Sequence, residues 1–125
     1  ADGNYIIVGS SKAASQPDNN ANLIKIAPDG TVIWSKFYGG SADDYGNCIQ
    51  KTSDGGYIMI GQTFGFGAQA GDAWLVKLDG NGDTTWTKRF GGAQNDEGYY
   101  ITIAPDGGYV FLVRDSVTSP KNRTV

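Results

Sequence analysis

The chain has 125 residues, a formal net charge of −3 and an isoelectric point near 4.6. The absence of a basic run argues against an electrostatic site for nucleic acid, and the absence of a long apolar run excludes a membrane-spanning helix. Its 19 glycines, set against four prolines and one methionine, are typical of short strands and tight turns and favour an all-β fold.

Turn signals that recur every 52 residues divide the chain into units of four strands, lettered a to d. The first unit, residues 1–45, is predicted to begin at strand b, at 5–8, and to continue through strands c and d. The central unit, residues 46–91, is predicted to be complete, with strands at 46–52, 57–62, 73–79 and 84–90. The last unit, residues 92–125, is predicted to hold strands a and b, the latter at 109–113, and to stop before strand c.

The units align without a gap, and many residues recur at the same position. The Asp-Gly-Asn-Tyr segment at 2–5 returns as Asp-Gly-Gly-Tyr at 54–57 and at 106–109. The positions to which we assign structural roles on this ground are Tyr5, Tyr57 and Tyr109, Gly30 and Gly82, Trp34 and Trp86, and Asp44 and Asp96. Such an internal repeat is the signature of stacked, similar units.

Strand b indicates how the units are arranged, because it is apolar on both faces. In the central unit it reads Tyr57-Ile58-Met59-Ile60, and the runs at 5–8 and 109–113 are similar. A strand tolerates two apolar faces only when it is covered on both sides. Stacked blades of a β-propeller provide this cover, whereas a sandwich leaves one face of each sheet in water. We therefore predict an all-β fold of propeller blades, each a four-stranded antiparallel meander. The propeller is partial, or is completed by further blades of the same chain or by a homo-oligomer.

Three motifs resemble a known group of proteins. Asp-Gly-Gly-Tyr-Ile at 54–58, Trp-Leu-Val-Lys-Leu-Asp-Gly-Asn-Gly at 74–82 and Trp-Thr-Lys-Arg-Phe-Gly-Gly at 86–92 resemble repeats of bacterial and archaeal β-propeller proteins of the secreted or surface type. The resemblance implies an extracellular or cell-surface location and a scaffold or binding role. The Gly-x-x-x-Trp element, at 30–34 and 82–86, is also similar to the tryptophan-docking motif of quinoprotein-type propellers. Those repeats usually carry Asp and Thr before the glycine; here only Asp79 fits, in one copy, so we expect no cofactor.

The residue types needed for common catalytic sites are missing or scattered. The sequence has no histidine, which removes Ser-His-Asp and Cys-His nucleophile systems and histidine metal sites. Carboxylates, lysines and tyrosines do not occur in a recognisable catalytic spacing. Cys48 is the single cysteine, and we interpret it as a small strand residue. We therefore predict that the chain is not an enzyme and has no catalytic residues.

The segment Asp79-Gly80-Asn81-Gly82-Asp83 begins like a calcium loop, in which alternate oxygens meet one cation. The twelfth position of that loop is Phe90 instead of glutamate, and the first unit forms the same turn from 27–31 without those ligands. A hairpin turn is the favoured interpretation. Asp79, Asn81 and Asp83 remain weak candidates for calcium, and we expect no transition metal.

Two pairs of lysines recur at the repeat period, Lys25 with Lys77 and Lys36 with Lys88. They could form a ladder of positive charge for an anionic ligand. Ion pairs with turn aspartates, or lysine stems lying over apolar surface, are the favoured interpretation.

Ligand binding is expected where the b–c and d–a connections emerge together, at one end of the blades. The b–c loops, at 11–21, 63–72 and 115–125, differ completely between units, and variable loops on a constant scaffold commonly carry binding sites. Phe64 and Phe66, each flanked by glycine, are candidates for stacking on sugar or peptide. The alternative is that they fold back over the edge of the blade.

The d–a loops contain the most acidic points of the sequence. We expect Asp44 and Asp96, which repeat, to cap the turns by accepting bonds from backbone amides. Their neighbours Asp43, Asn95 and Glu97 do not repeat, and they are the better candidates for binding a cation or a polar ligand.

These observations favour a non-catalytic propeller scaffold or binding module of an exported or cell-surface prokaryotic protein. Its expected partners are a protein or glycan at the loop end, and no nucleic acid. One alternative is a lectin-like propeller, but Lys12-Ala13-Ala14 at the position of Phe64-Gly65-Phe66 argues against an aromatic in every b–c loop. The other alternative is a fragment of a propeller enzyme whose active site lies in other blades. Asn122 begins a glycosylation sequon, which matters only in an exported chain.

Overall fold

The computed structural model describes residues 3–65, 70–115 and 122–124. Every helix or strand element within those ranges is a β-strand: β1 Tyr5–Lys12, β2 Asn19–Ile26, β3 Val32–Tyr38, β4 Asp44–Lys51, β5 Tyr57–Thr63, β6 Asp72–Leu78, β7 Thr84–Phe90, β8 Asp96–Ile103, β9 Tyr109–Asp115 and β10 Asn122–Thr124. The strands predicted for the central unit are confirmed to within two residues. Among the described residues no helix has the length and apolarity needed to cross a membrane.

The described strands form antiparallel sheets that follow chain order. Sheet 1 is β1-β2-β3, sheet 2 is β4-β5-β6-β7 and sheet 3 is β8-β9-β10. Sheet 2 is thus a four-stranded meander, and the all-β antiparallel prediction is confirmed. The prediction that the last unit stops before strand c is wrong, because β10 pairs with β9, with Asn122 opposite Arg114. The edge of β9 presents unpaired backbone groups, and the Asn-Arg-Thr segment satisfies some of them.

The tight hairpin turns share one backbone geometry. Between β4 and β5, Thr52 N donates to Gly56 O at 3.0 Å and Gly55 N donates to Thr52 O at 3.2 Å. The same two bonds close the turns at 27–31, 79–83 and 104–108. The fourth residue of each turn has φ between 82 and 89°, which favours glycine: Gly30, Gly55, Gly82 and Gly107. The structural role predicted for Gly30 and Gly82 follows from this requirement.

Sheet 2 is buried on both of its faces. Tyr57, Met59 and Val76 on one face pack against Ala21 and Leu23 of sheet 1. On the other face, the side chains that meet sheet 3 are Ile58, Ile60, Ala73 and Leu75, which pack with Ile101, Phe111 and Val113. All of β5 is buried, so the cover predicted for both faces of this strand is confirmed.

The two repeated tryptophans lie at equivalent contacts between sheets. Trp34 of sheet 1 packs edge-on against Tyr57 of sheet 2, with ring centroids 6.4 Å apart. Trp86 of sheet 2 contacts Tyr109 of sheet 3 at 6.3 Å. Both pairs are related by 52 residues, and this confirms the prediction that the tryptophans occupy equivalent positions.

Within the described part of the chain, each of the outer sheets leaves one face uncovered. In β1, Ile6 and Val8 pack against the first core cluster, whereas Tyr5 is 61% exposed. Its repeat equivalent Tyr57 is only 3% exposed. In β9, Phe111 is buried and Leu112 is exposed. The apolar runs at 5–8 and 109–113 are therefore covered on one face in this chain.

Candidate functional site

The loop between β5 and β6 corresponds to the predicted b–c loop of sheet 2. It is bonded to the two d–a connections, which join β3 to β4 and β7 to β8. Phe64 N donates to Asp43 O at 2.9 Å, and Asp96 N donates to Gly71 O at 2.6 Å. These bonds confirm, for this loop and its neighbours, that the b–c and d–a connections lie at one end of the sheets. We call this the loop end.

Asp44 and Asp96 cap the turns that precede β4 and β8. Asp44 Oδ2 accepts from Gly40 N, and Asp96 Oδ2 accepts from Gly92 N, each at 2.8 Å. Asp44 Oδ1 also accepts from the Thr63 hydroxyl. Burial raises the pKa of Asp44, and the bonds from Thr63 and Gly40 oppose that rise. The predicted capping role is confirmed for both aspartates.

Asp43 and Asn95 also repeat in structure, although their residue types differ. Asp43 Oδ1 accepts from Asn19 N, and Asn95 Oδ1 accepts from Gly71 N, both at 2.8 Å. Asn19 and Gly71 are themselves 52 residues apart. Each bond fixes the residue at or just before the start of strand c to the following d–a loop. This structural duty occupies one oxygen of Asp43, and Oδ2 has no protein partner among the described residues.

Four of the five predicted ligand-binding residues meet in one groove at the loop end. We call it the Phe64 groove; it consists of two adjoining clefts that share Gln62, Phe64 and Glu97. One cleft, of about 400 Å³, is completed by Asp43, Tyr45 and Asn47. The other, of about 280 Å³, is completed by Asn95 and Arg114. Phe66 lies outside the described residues.

Phe64 is held from several sides and remains partly open to solvent. Its ring lies edge-on to Tyr45, with centroids 6.3 Å apart and an interplanar angle of 84°. The next residue is also anchored, because Gly65 N donates to Thr63 Oγ1 at 3.1 Å. A Cβ at Gly71 would come within 2.9 Å of Phe64 Cζ, so glycine there leaves room for the ring. Phe64 is 37% exposed and lines both clefts.

The polar side chains of the groove are ordered by hydrogen bonds. Gln62 is 9% exposed, and its Nε2 donates to Asp96 O at 3.0 Å. Asn47 Nδ2 donates to Glu97 Oε1 at 3.1 Å and to Gly98 O at 2.8 Å, which links sheet 2 to sheet 3.

On the far side of Phe64, Arg114 Nη1 donates to the Tyr99 hydroxyl at 3.2 Å. This bond raises the pKa of Arg114.

Sequence reasoning missed Tyr45, Asn47, Gln62 and Arg114, because it searched the loops and these residues lie on strands. A signal was present in the repeat. Tyr45 and Glu97 occupy one repeat position, and Gln62 and Arg114 occupy another. Large polar or aromatic side chains at the loop-end termini of strands a and b line the groove in both units.

The turn at 79–83 is a hairpin whose two aspartate side chains already have partners. Asp79 Oδ1 accepts from Asn81 N at 2.9 Å and from Asp83 N at 3.0 Å. The Lys36 ammonium of sheet 1 donates to Asn81 O at 2.6 Å and pairs with Asp83 Oδ1 at 3.1 Å. The hairpin interpretation is confirmed. Within the described residues, no group of three His, Cys, Asp or Glu side chains is placed to hold a metal ion.

Two of the four repeated lysines, Lys36 and Lys77, pair with turn aspartates, which is one of the two arrangements in the favoured interpretation. Besides the contact of Lys36 with Asp83, Lys77 Nζ lies 3.0 Å from Asp54 Oδ2. Lys88 lies over the Trp86 ring at 5.4 Å. Cys48 is a half-buried strand residue packed against the cluster between sheets 2 and 3.

Comparison of the sequence with models of known protein families gives no match, and a search of the curated proteins finds no relative.

Proposed function

We propose that this chain is a segment of a β-propeller and acts as a non-catalytic binding module of an exported or cell-surface prokaryotic protein, with the Phe64 groove as its ligand site. The observation that carries the proposal is the meeting of a partly exposed aromatic ring with polar side chains from two sheets, at the end where the variable loops lie. The location is proposed from the family resemblance alone.

The stacking of the sheets supports the propeller. Sheet 1 contacts sheet 2 through the same repeat positions by which sheet 2 contacts sheet 3: Ala21, Leu23 and Trp34 in the first case, Ala73, Leu75 and Trp86 in the second. A structure that repeats one interface adds units in the same direction each time, as the blades of a propeller do. Further blades of the same chain, or of another copy, are the partners proposed for the uncovered faces.

The chemistry of the groove supports binding. Ligand sites are concave, hold a few convergent polar groups beside apolar or aromatic surface, and commonly enclose a few hundred Å³. The groove has these properties, and hydrogen bonds to the backbone hold Gln62 and Asp43 in place. A preordered site loses less conformational entropy when its ligand binds.

Biolayer interferometry with the immobilised chain tests this proposal. The probes are neutral oligosaccharides, oligogalacturonates, and unstructured basic and acidic peptides. We expect saturable binding of at least one probe, and we expect Phe64→Ala to remove it. The matched control is Phe37→Ala, which removes an exposed phenylalanine of β3 that does not line the groove. Absence of binding by every probe, or equal binding by the two variants, contradicts the proposal.

A further inference from the structure

We infer that the Phe64 groove binds a neutral glycan, with the C–H face of a pyranose ring against Phe64 and its hydroxyls on Asp43, Gln62 and Glu97. This inference rests on the proposed function and names the class of ligand. It follows from the aromatic surface, from the hydrogen-bonding capacity that the groove leaves open, and from its balance of charge.

The aromatic surface selects a ligand with a flat apolar face. Phe64 is anchored, because Tyr45 packs against its ring, its own amide donates to Asp43 O, and Gly65 N donates to Thr63 Oγ1. A phenyl ring has no hydrogen-bonding group, so the face of the ligand that meets it must be apolar. The polar walls of the groove require that the rim of the same ligand be polar. A pyranose ring combines C–H groups on its face with hydroxyls around its rim.

Three acceptor atoms of the groove remain open. Asp43 Oδ1 takes two bonds from Asn19, and Glu97 Oε1 takes one from Asn47. Gln62 uses its nitrogen on Asp96 O. Asp43 Oδ2, Glu97 Oε2 and Gln62 Oε1 have no protein partner among the described residues. Three acceptors call for a ligand with several donors, and vicinal hydroxyls of a sugar supply them.

The charge of the groove favours a neutral ligand. An anionic ligand would be repelled by Asp43 and Glu97, which line the larger cleft. A strongly basic peptide would instead be repelled by Arg114, which shares the smaller cleft with Glu97. Hydroxyls avoid both costs, because a hydroxyl donates to a carboxylate and accepts from a guanidinium. The adjoining clefts have room for more than one sugar unit, so an oligosaccharide should bind more tightly than its monosaccharide.

The test uses isothermal titration calorimetry of the full chain with cellohexaose, maltohexaose and mannohexaose, and with oligogalacturonate and a Lys/Arg-rich peptide for comparison. We expect at least one neutral hexasaccharide to bind with defined stoichiometry. Phe64→Ala should weaken that binding at least tenfold, and Phe64→Trp, which keeps an aromatic face, should retain it within threefold. Asp43→Asn keeps an acceptor for Asn19 but replaces the open oxygen with a donor, and it should weaken binding about fivefold. Phe37→Ala should leave the affinity unchanged, and circular dichroism confirms that each variant is folded.

The outcomes separate this inference from the proposed function. Binding of the peptide or the oligogalacturonate, lost in Phe64→Ala, with no binding of neutral sugars, overturns the glycan inference and leaves the binding module intact. Neutral sugar binding that Phe64→Ala does not weaken shows that the sugar lies elsewhere and also overturns the inference. If no probe binds the folded chain, the inference and the proposed function both fail.

Discussion

Asp44 joins the turn before β4 to the end of β5 at the loop end. It is fully buried, and it accepts from Gly40 N and from the Thr63 hydroxyl. Asp44→Ala leaves both donors without an acceptor, which should lower the free energy of unfolding by about 2 kcal/mol. Urea denaturation measures the loss. Asp106→Ala is the matched control, because exposed Asp106 accepts only from Gly108 N within the described residues, and an equal loss in the two variants would contradict the capping role.

Asp54 should make the free energy of unfolding depend on pH in the acid range. The bonds from the Thr52 hydroxyl, the Lys77 ammonium and Gly56 N hold the pKa of Asp54 well below its ordinary value of 3.8. A lowered pKa in the folded state adds stability above pH 3.8, and that stability is lost as the pH falls through the folded value. We therefore expect the free energy of unfolding to fall in strong acid, and to fall less in Asp54→Asn.

Asp44 should change the pH dependence of stability in the opposite direction to Asp54. Because burial raises its pKa, protonation of Asp44 favours the folded state, and its contribution grows as the pH falls. Asp44→Asn should therefore steepen the acid loss, whereas Asp54→Asn flattens it. Urea titrations at a series of pH values compare the three proteins. Equal slopes in wild type and Asp54→Asn would show that the pairing of Asp54 does not control acid stability.

At the scale of the strand, glycine in strand a lets neighbouring sheets approach. A Cβ on Gly46 would lie 2.6 Å from Val8 Cγ2, and one on Gly98 would lie 2.6 Å from Ile60 Cδ1. Val8 and Ile60 are repeat equivalents, as are the two glycines. Each sheet thus seats a branched side chain against a glycine of the next sheet, and the two interfaces share this contact.

This contact predicts an energetic coupling. Gly98→Ala should cost about 2 kcal/mol by overpacking, whereas Gly92→Ala, with no atom within 4 Å of the added Cβ, should be nearly neutral. Ile60→Ala removes the obstructing side chain, so the double variant with Gly98→Ala should lose about 1 kcal/mol less than the sum of the two losses. A double-mutant cycle from urea denaturation measures the difference, and additive losses would contradict the contact.

Strands and turns could be predicted from the sequence where one local requirement dominates. The apolar run of β5 predicts a strand buried on two faces, and Asp54-Gly55 predicts a turn that needs positive φ. The alternation of buried and exposed side chains along a strand fails where the pairing of neighbouring strands is irregular. Counting back from Trp34 places Val32 on the buried face, but the register shift at Lys25 and Ile26 leaves Val32 exposed.

The groove could be predicted only in part, because its walls come from different sheets. Phe64 and Glu97 stood out from loop composition and from the absence of repetition. Gln62 and Asn47 lie on strands, where their polar character gives no sign that a neighbouring sheet completes a cleft. The shared role of Asp43 and Asn95 could not be recognised from the sequence, because their residue types differ. In the structure an aspartate oxygen and an asparagine oxygen accept equivalent backbone bonds.

At the scale of the whole molecule, the uncovered faces of sheets 1 and 3 keep large apolar side chains in water. The outer face of sheet 1 carries Tyr5 and Ile7, and that of sheet 3 carries Tyr100 and Leu112, all exposed. Their repeat equivalents in sheet 2 are Tyr57, Met59, Cys48 and Ile60, and all of these pack in the cores between sheets. Keeping apolar surface in water costs roughly 25 cal/mol per Å². We therefore expect these faces to pack against a further sheet.

We expect the isolated chain to self-associate, and two isoleucines of sheet 1 can identify the surface that it uses. Ile7 and Ile33 are 47% and 48% exposed, but Ile7 corresponds to buried Met59, whereas Ile33 corresponds to exposed Thr85. If association uses the face that a neighbouring sheet covers in sheet 2, Ile7→Lys should shift the chain toward monomer and Ile33→Lys should not. Sedimentation velocity over a range of concentrations measures the distribution. A wild-type chain that stays monomeric with a sharp, high thermal transition contradicts the prediction. Equal effects of the two substitutions would show that general surface apolarity, instead of the repeated interface, drives association.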